Sequence, residues 1–179
     1  MATSTRLTIE DFEKLPDEAV QHRELIDGEL IDVSGNTGNH NSLRDLIISL
    51  LRPLVEKSKL GRAFAEQEYD FRGNAHAPDV SFFGPEKCKL YDGNRRVQRF
   101  VPDLAIEVVS PNDTYEALMK KARRYRSCGT TEVWIFSIEL RQAELLSESR
   151  NVLLDETQEF RPEPIPNFSI RLGELFDRV

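Results

Sequence analysis

The sequence predicts an α/β fold, a mixed sheet flanked by helices, in a single domain spanning residues 1–179. Three observations carry that expectation. The length of 179 residues fits about one domain at the usual ~150 residues each. Leu43, Leu46, Ile47, Leu50, Leu51, Leu54 and Val55 recur at helical spacing and mark the clearest helix in the chain. Glu132 to Ile138 is an apolar run of strand length, as suits a central strand buried on both faces. A chain of this size buries about two-thirds of its unfolded surface, so it folds without disulfide or metal staples.

The elements follow in order. Thr8-Ile-Glu-Asp reads as a capping box that opens a short helix through Leu15, ended by Pro16. Residues 23–33 read as two strands around Asp27-Gly28, a pair suited to a type I′ turn because both central residues need positive φ. Ser34 to Asn41 reads as a Gly/Asn loop, with His40 a loop or N-cap residue before the leucine-rich helix. Pro53 should kink that helix or make its last turns irregular. Alternation from Arg62 to Arg72 suggests one strand; Pro78 to Phe83 and Pro102 to Val109 suggest two more. Residues 114–127 form a basic amphipathic helix stopped by Gly129. After the apolar strand come Gln142–Leu146, Asn151–Leu154 and a stretch near Phe160, all strand-like, then a helical turn at Leu172 to Phe176. The expected assembly is one central sheet covered by helices, with a β-rich tail.

Composition narrows the function. Lys and Arg number 24 against 31 Asp and Glu, a formal charge of −7. That balance excludes a protein that coats nucleic acid non-specifically, although one local basic patch is compatible with it. No apolar run approaches the ~20 residues that span a bilayer, so no membrane partner is expected. The N-terminus lacks an apolar signal core, which points to a cytoplasmic protein whose Cys88 and Cys128 stay reduced. No Walker-type phosphate loop is present, which disfavours triphosphatase chemistry.

Acidic side chains in the strands supply the candidate site. In Pro102 to Val109, residues Asp103, Ala105, Glu107 and Val109 share one face, while Leu104, Ile106 and Val108 share the other. Glu107 is therefore a carboxylate within an apolar strand, and burial obliges it to find a cation, a metal or a hydrogen-bond donor. A salt bridge to an arginine is the ordinary alternative. If Asp79 lies on the neighbouring strand, the pair offers oxygen ligands suited to Mg²⁺, with Mn²⁺ able to substitute. The following helix brings Lys120 and Lys121 near the same strand ends. With Leu118 at zero, Lys121 falls at about −60°, on the edge of the buried stripe, and Lys120 at about 200°, almost opposite. Lys121 can thus run its stem along the packed face toward the carboxylates. Two basic segments, Lys87 to Arg99 and Lys120 to Arg126, are candidate DNA contacts, with solvated surface charge as the alternative. Glu24 and Glu29 flank the Asp-Gly turn, where surface carboxylates are ordinary.

Five motifs in this order resemble one family. Glu24-Leu-Ile-Asp-Gly-Glu-Leu, His40 before the leucine-rich helix, Ala77-Pro-Asp-Val-Ser-Phe, Pro102-Asp-Leu-Ala-Ile-Glu-Val-Val-Ser-Pro, and Lys121-x-x-x-Tyr125-x-x-x-Gly129-x-x-Glu132-Val-Trp-Ile look together like the Uma2 family. The resemblance spans about residues 8 to 175. It implies a restriction-endonuclease-like core of the PD-(D/E)xK type and an endonuclease that hydrolyses DNA with Mg²⁺. It further implies Asp79 and Glu107 as metal ligands and Lys121 as the third catalytic group, with Glu24 and His40 as accessory positions. The usual lysine two residues after the second acid is Val109 here, which resembles the subset whose lysine has moved to the next helix. An Asp common one turn earlier is Ala117 here, so its role is open. Cutting both strands of a duplex with one site per chain suggests a homodimer. The alternative function is a non-catalytic nucleic-acid-binding module on the same scaffold; a metal hydrolase of small phosphoesters is a third.

Overall fold

Thr8 caps α1 (Ile9–Glu13) with both halves of the expected box. Its hydroxyl accepts from the Asp11 N–H at 3.2 Å, and the Asp11 carboxylate accepts from the Thr8 N–H at 3.0 Å. The helix ends two residues early, and Pro16 then caps a further turn that the sequence reading lacked, α2 (Asp17–Val20). β1 (Arg23–Ile26) and β2 (Glu29–Asp32) pair antiparallel around Asp27 and Gly28, whose φ values of 51° and 85° are both positive as the turn requires. The computed structural model describes residues 6–33 and 35–179, so Ser34 and the first five residues, with the readings made of them, lie outside the described residues.

α3 (Gly38–Lys57) starts earlier than expected. Thr37 is its N-cap, accepting from the His40 N–H at 3.2 Å, so His40 is a buried residue of the first turn rather than a loop or cap residue. The helix continues past Pro53 to Lys57. The single strand expected over 62–72 is two, β3 (Arg62–Ala65) and β4 (Glu68–Asp70), because Glu66 takes a left-handed φ of 53° between them. Then follow β5 (Ala75–His76), β6 (Val80–Phe83), α4 (Pro85–Cys88), β7 (Val97–Gln98) and β8 (Leu104–Val108). α5 (Tyr115–Cys128) is capped by Thr114 and closed by Gly129 at φ 111°. The chain ends in β9 (Glu132–Ser137), β10 (Gln142–Leu146), β11 (Asn151–Asp155), β12 (Glu159–Phe160), β13 (Ile170–Arg171) and α6 (Leu172–Phe176).

These strands form three sheets among the described residues, not the one central sheet expected. The larger runs β11-β10-β9-β8-β6-β3 and is antiparallel except for β8 with β9, which α5 connects as a crossover. The smaller runs β2-β1-β5-β4-β7, and β12 pairs with β13. The chain passes from the smaller to the larger sheet through Ala77-Pro78-Asp79, where Pro78 has no N–H to give to either ladder.

β8 is buried on both faces, with the predicted alternation. Leu104, Ile106 and Val108 pack in a core with Leu43, Ile47 and Leu51 of α3 and with Leu172 and Phe176 of α6. Ala105 packs on the opposite side with Leu118, Ala122 and Tyr125 of α5. Glu107 alternates onto that second face, beneath α5. A third cluster, including Phe12, Leu25 and Val97, joins the N-terminal helices to the smaller sheet. No helix among the described residues is long and apolar enough to cross a membrane.

Candidate active site

Asp79 immediately precedes β6, and Glu107 is the fourth residue of β8. The two strands are antiparallel neighbours with Val80 opposite Ile106, so the two acids stand side by side. Asp79 Oδ2 accepts from the Val108 N–H at 2.7 Å and lies 3.2 Å from His40 Nε2. Glu107 Oε1 accepts from the Tyr125 hydroxyl at 2.8 Å, and its Oε2 accepts from Lys121 Nζ at 3.1 Å. Lys121 also reaches Glu24 Oε1 at 2.9 Å. Glu24 in turn accepts from the Ala77 N–H at 3.2 Å and pairs through Oε2 with His76 Nδ1 at 2.7 Å. All five residues proposed from the sequence meet here, and the structure adds His76 and Tyr125. Lys120 is exposed while Lys121 is one-fifth exposed with its tip inside, as the helical angles predict.

Burial is the largest single influence on Glu24, His40, His76, Glu107 and Lys121; it prevails at Glu107 and His76, and neighbouring charges overcome it at the other three. Glu107 is pushed well above the usual carboxylate range by burial; Lys121 pulls it down, while Asp79 and Glu24 push it further up. Glu24 is equally buried, yet the Lys121 charge and the His76 bond overcome that and hold it at about 2. Burial opposes the Lys121 ammonium, but Glu107 and Glu24 outweigh it and raise the pKa, so Lys121 is charged at neutral pH. His40 is raised against burial by its contact with Asp79, whereas burial wins at His76 and lowers it. The site therefore holds three carboxyl groups, a fixed ammonium and two imidazoles of opposite tendency.

These residues line a cleft of about 1090 Å³, larger than the ~300–1,000 Å³ typical of small-ligand pockets. Carboxylates outnumber Lys and Arg side chains along its walls, nine to five. The expected basic groove is thus not what the structure presents. Lys87 pairs with Asp103, Lys89 with Glu86, Arg96 with Asp17, Arg99 with Glu13 and Arg124 with Asp27. The sequence could not show this because most of these partners lie far along the chain. Asp103 is structural: besides Lys87, it accepts from the Gly84 N–H at 2.7 Å. Glu24 is 4% exposed, not a surface carboxylate of the turn.

The donor chemistry fits a hard divalent ion. Asp79 and Glu107 are adjacent carboxyl groups, and after burial the Asp79 charge adds to the raised proton affinity of Glu107. The described residues contain no cluster of three or more His, Cys, Asp or Glu arranged to hold a metal. Two adjacent carboxyl groups are compatible with Mg²⁺, which commonly takes one or two carboxylates and completes its shell with water and phosphate.

The Uma2 family model, described as "Putative restriction endonuclease", matches residues 9–173. The chain belongs to the Uma2 family. A solved structure described as a "putative nuclease belonging to DUF820", from Anabaena variabilis, shares the fold of this Uma2 chain with a TM-score of 0.83. The two are 21% identical, and the match covers 96% of this chain and 98% of that one. The cryo-EM structure of the DrdV–DNA complex aligns at 19% identity over 80% of this chain and 12% of that one, with a TM-score of 0.44 that supports no comparison of fold or function. No curated protein matches the Uma2 sequence.

Proposed function

We propose that this Uma2 protein is a Mg²⁺-dependent endonuclease that hydrolyses phosphodiester bonds of DNA. The observation that supports it best is the convergence of Asp79, Glu107 and the Lys121 ammonium, from two neighbouring strands and the crossover helix, on one wall of the cleft. Asp79 and Glu107 would hold the ion, which supplies Lewis-acid polarisation of phosphate and a more acidic bound water. Lys121, charged and aimed by its aliphatic stem, stabilises negative charge that builds on the phosphate oxygens during attack. His40 holds Asp79 from the α3 side, so the carboxylate does not turn away from the cleft. The acid-rich walls disfavour the alternative of a non-catalytic binding module, because they repel a phosphate backbone unless cations intervene. A symmetric homodimer is part of the proposal, since two such sites cut both strands of a duplex most simply.

The test is incubation of the purified protein with supercoiled and linear DNA in Mg²⁺, Mn²⁺ or EDTA. Nicked or linear product is expected with either metal and none with EDTA, and light scattering is expected to show a dimer. Cleavage that persists in EDTA, or in Glu107→Ala with Mg²⁺, overturns the reading.

A further inference from the structure

We infer that Glu24 is the resident partner of Lys121 and that the Glu24–His76 pair of the smaller sheet sets where the ammonium stands against the carboxylates of the larger one. The significance of Lys121 rests on the nuclease reading above; the pairing itself does not. Both oxygens of Glu24 are tied to the end of β5 and the residue after it: Oε2 to His76 Nδ1 at 2.7 Å and Oε1 to the Ala77 N–H at 3.2 Å. The His76 ring is itself boxed, lying edge-on to Phe71 and Tyr125 with centroids at 5.7 and 5.6 Å, while those two rings stack at 4.2 Å. Glu24 therefore has almost no freedom, and Lys121 Nζ sits 2.9 Å from it.

Glu107 is held differently. Apart from Lys121, its hydrogen-bond partner among the described residues is Tyr125, which leaves Oε2 bound to the ammonium alone. If Lys121 had only Glu107, that pair would neutralise itself and cancel the charge a metal needs. With Glu24 as the anchor, Glu107 can release Lys121 to another cation while the ammonium keeps a charge-assisted bond. The geometry couples this anchor to the other ligand too, because His76-Ala77-Pro78-Asp79 is continuous chain. Four consecutive residues thus fix Glu24 at one end and place Asp79 at the other. Glu24 and His76 are positioning residues in this arrangement; they act through Lys121.

The experiment is a heteronuclear NMR spectrum of protein labelled with ¹⁵N-lysine, in which ammonium protons shielded by ion pairs exchange slowly enough to be seen. Lys121 is assigned from the signal absent in Lys121→Arg. In metal-free protein, Glu24→Gln should exchange its Lys121 protons about tenfold faster than wild type, the factor expected for losing one charge-assisted bond to a held partner, and Glu107→Gln should exchange them more slowly than Glu24→Gln does. His76→Phe, which removes the donor to Glu24, should behave like Glu24→Gln, and His76→Asn, which restores a side-chain N–H there, should retain slow exchange. The amide spectrum of each variant reports its fold, and the His76 pair decides the matter if Glu24→Gln does not fold. Faster exchange in Glu107→Gln than in Glu24→Gln overturns the inference, as does slow exchange in His76→Phe. If wild-type protein cleaves DNA, Glu24→Gln should lower kcat on the order of 10²-fold with little change in KM. A fall confined to KM overturns the positioning role. Failure of wild-type protein to cleave sinks the nuclease reading alone, since the ammonium spectrum is read without DNA or metal.

Discussion

Glu107 and Glu132 are both buried acids in apolar strands, and burial alone does not separate them. Glu132 accepts from Trp134 Nε1 at 3.0 Å and from the Glu163 N–H at 3.1 Å, which makes it a tie between β9 and the C-terminal segment. Glu107 instead faces Asp79, Glu24 and Lys121, so crowding of charge marks the candidate site. The adjacent lysines should separate accordingly. Lys121→Ala is expected to abolish cleavage while largely preserving DNA binding, and Lys120→Ala to alter binding and its salt dependence, as gel-shift and cleavage assays in parallel would read. Activity in Lys121→Ala with loss in Lys120→Ala would show that the roles are reversed. Glu68 offers a test by pH. Burial pushes its carboxyl up to about 7, Arg96 at 3.9 Å offsetting only part of this. The folded protein then keeps a proton that the unfolded chain releases near pH 4.5, so stability from this group is full below that pH and is lost as pH rises through 7. Glu68→Gln should leave stability unchanged at pH 4 and raise it at pH 8 by about 1–3 kcal/mol, read from urea unfolding. A variant no more stable than wild type at pH 8 would refute this.

At the scale of elements, α5 carries Lys121 and its two ends fix the helix in place. Thr114 accepts from the Ala117 N–H at 3.2 Å, and Gly129 stops the helix at φ 111°. A Cβ on Gly129 would meet only Val101 Cγ2, at an ordinary 3.8 Å, so the cost of substitution is backbone strain rather than collision. Gly129→Ala should cost about 1–2 kcal/mol in urea unfolding, and a neutral result would show that the turn relaxes freely. Both ends of this helix were legible in the sequence, as were the Thr8 capping box, the Asp-Gly hairpin and the two faces of β8. Each depends on residues within one turn or one strand. His40 was misplaced because Gly38 and Asn39, poor helix formers, obscured a start that Thr37 makes. The division of 62–72 was hidden because nothing in its alternation reveals the left-handed Glu66. The smaller sheet escaped notice for the same reason, and with it the bond between Glu24 and His76, 52 residues apart. Asp79, Glu107 and Lys121 were legible because strand alternation and helical angle are local quantities; the second wall of the cleft depends on how the chain returns.

For the whole molecule, the charge of −7 and the acid-rich cleft work in the same direction. The folded state buries Glu107 beside Asp79 and Glu24, while the unfolded chain lets them separate, so the metal-free fold carries electrostatic strain at Glu107. A divalent ion bound there stabilises the native state by mass action, about 2.7 kcal/mol when its concentration is 100 times Kd. For a chain of 150–250 residues each kcal/mol raises Tm by roughly 2–4 °C, so Mn²⁺ at that excess should raise it by about 5–10 °C. Asp79→Asn combined with Glu107→Gln removes the ligands and also relieves the repulsion. The double variant should therefore melt close to metal-free wild type, or above it, and show no rise with Mn²⁺. Scanning fluorimetry of both proteins with Mn²⁺ and with EDTA reads all four values. An equal rise in the double variant would place the ion elsewhere on this acidic surface, and a double variant that melts far below metal-free wild type would show that the carboxylates hold the fold together rather than strain it.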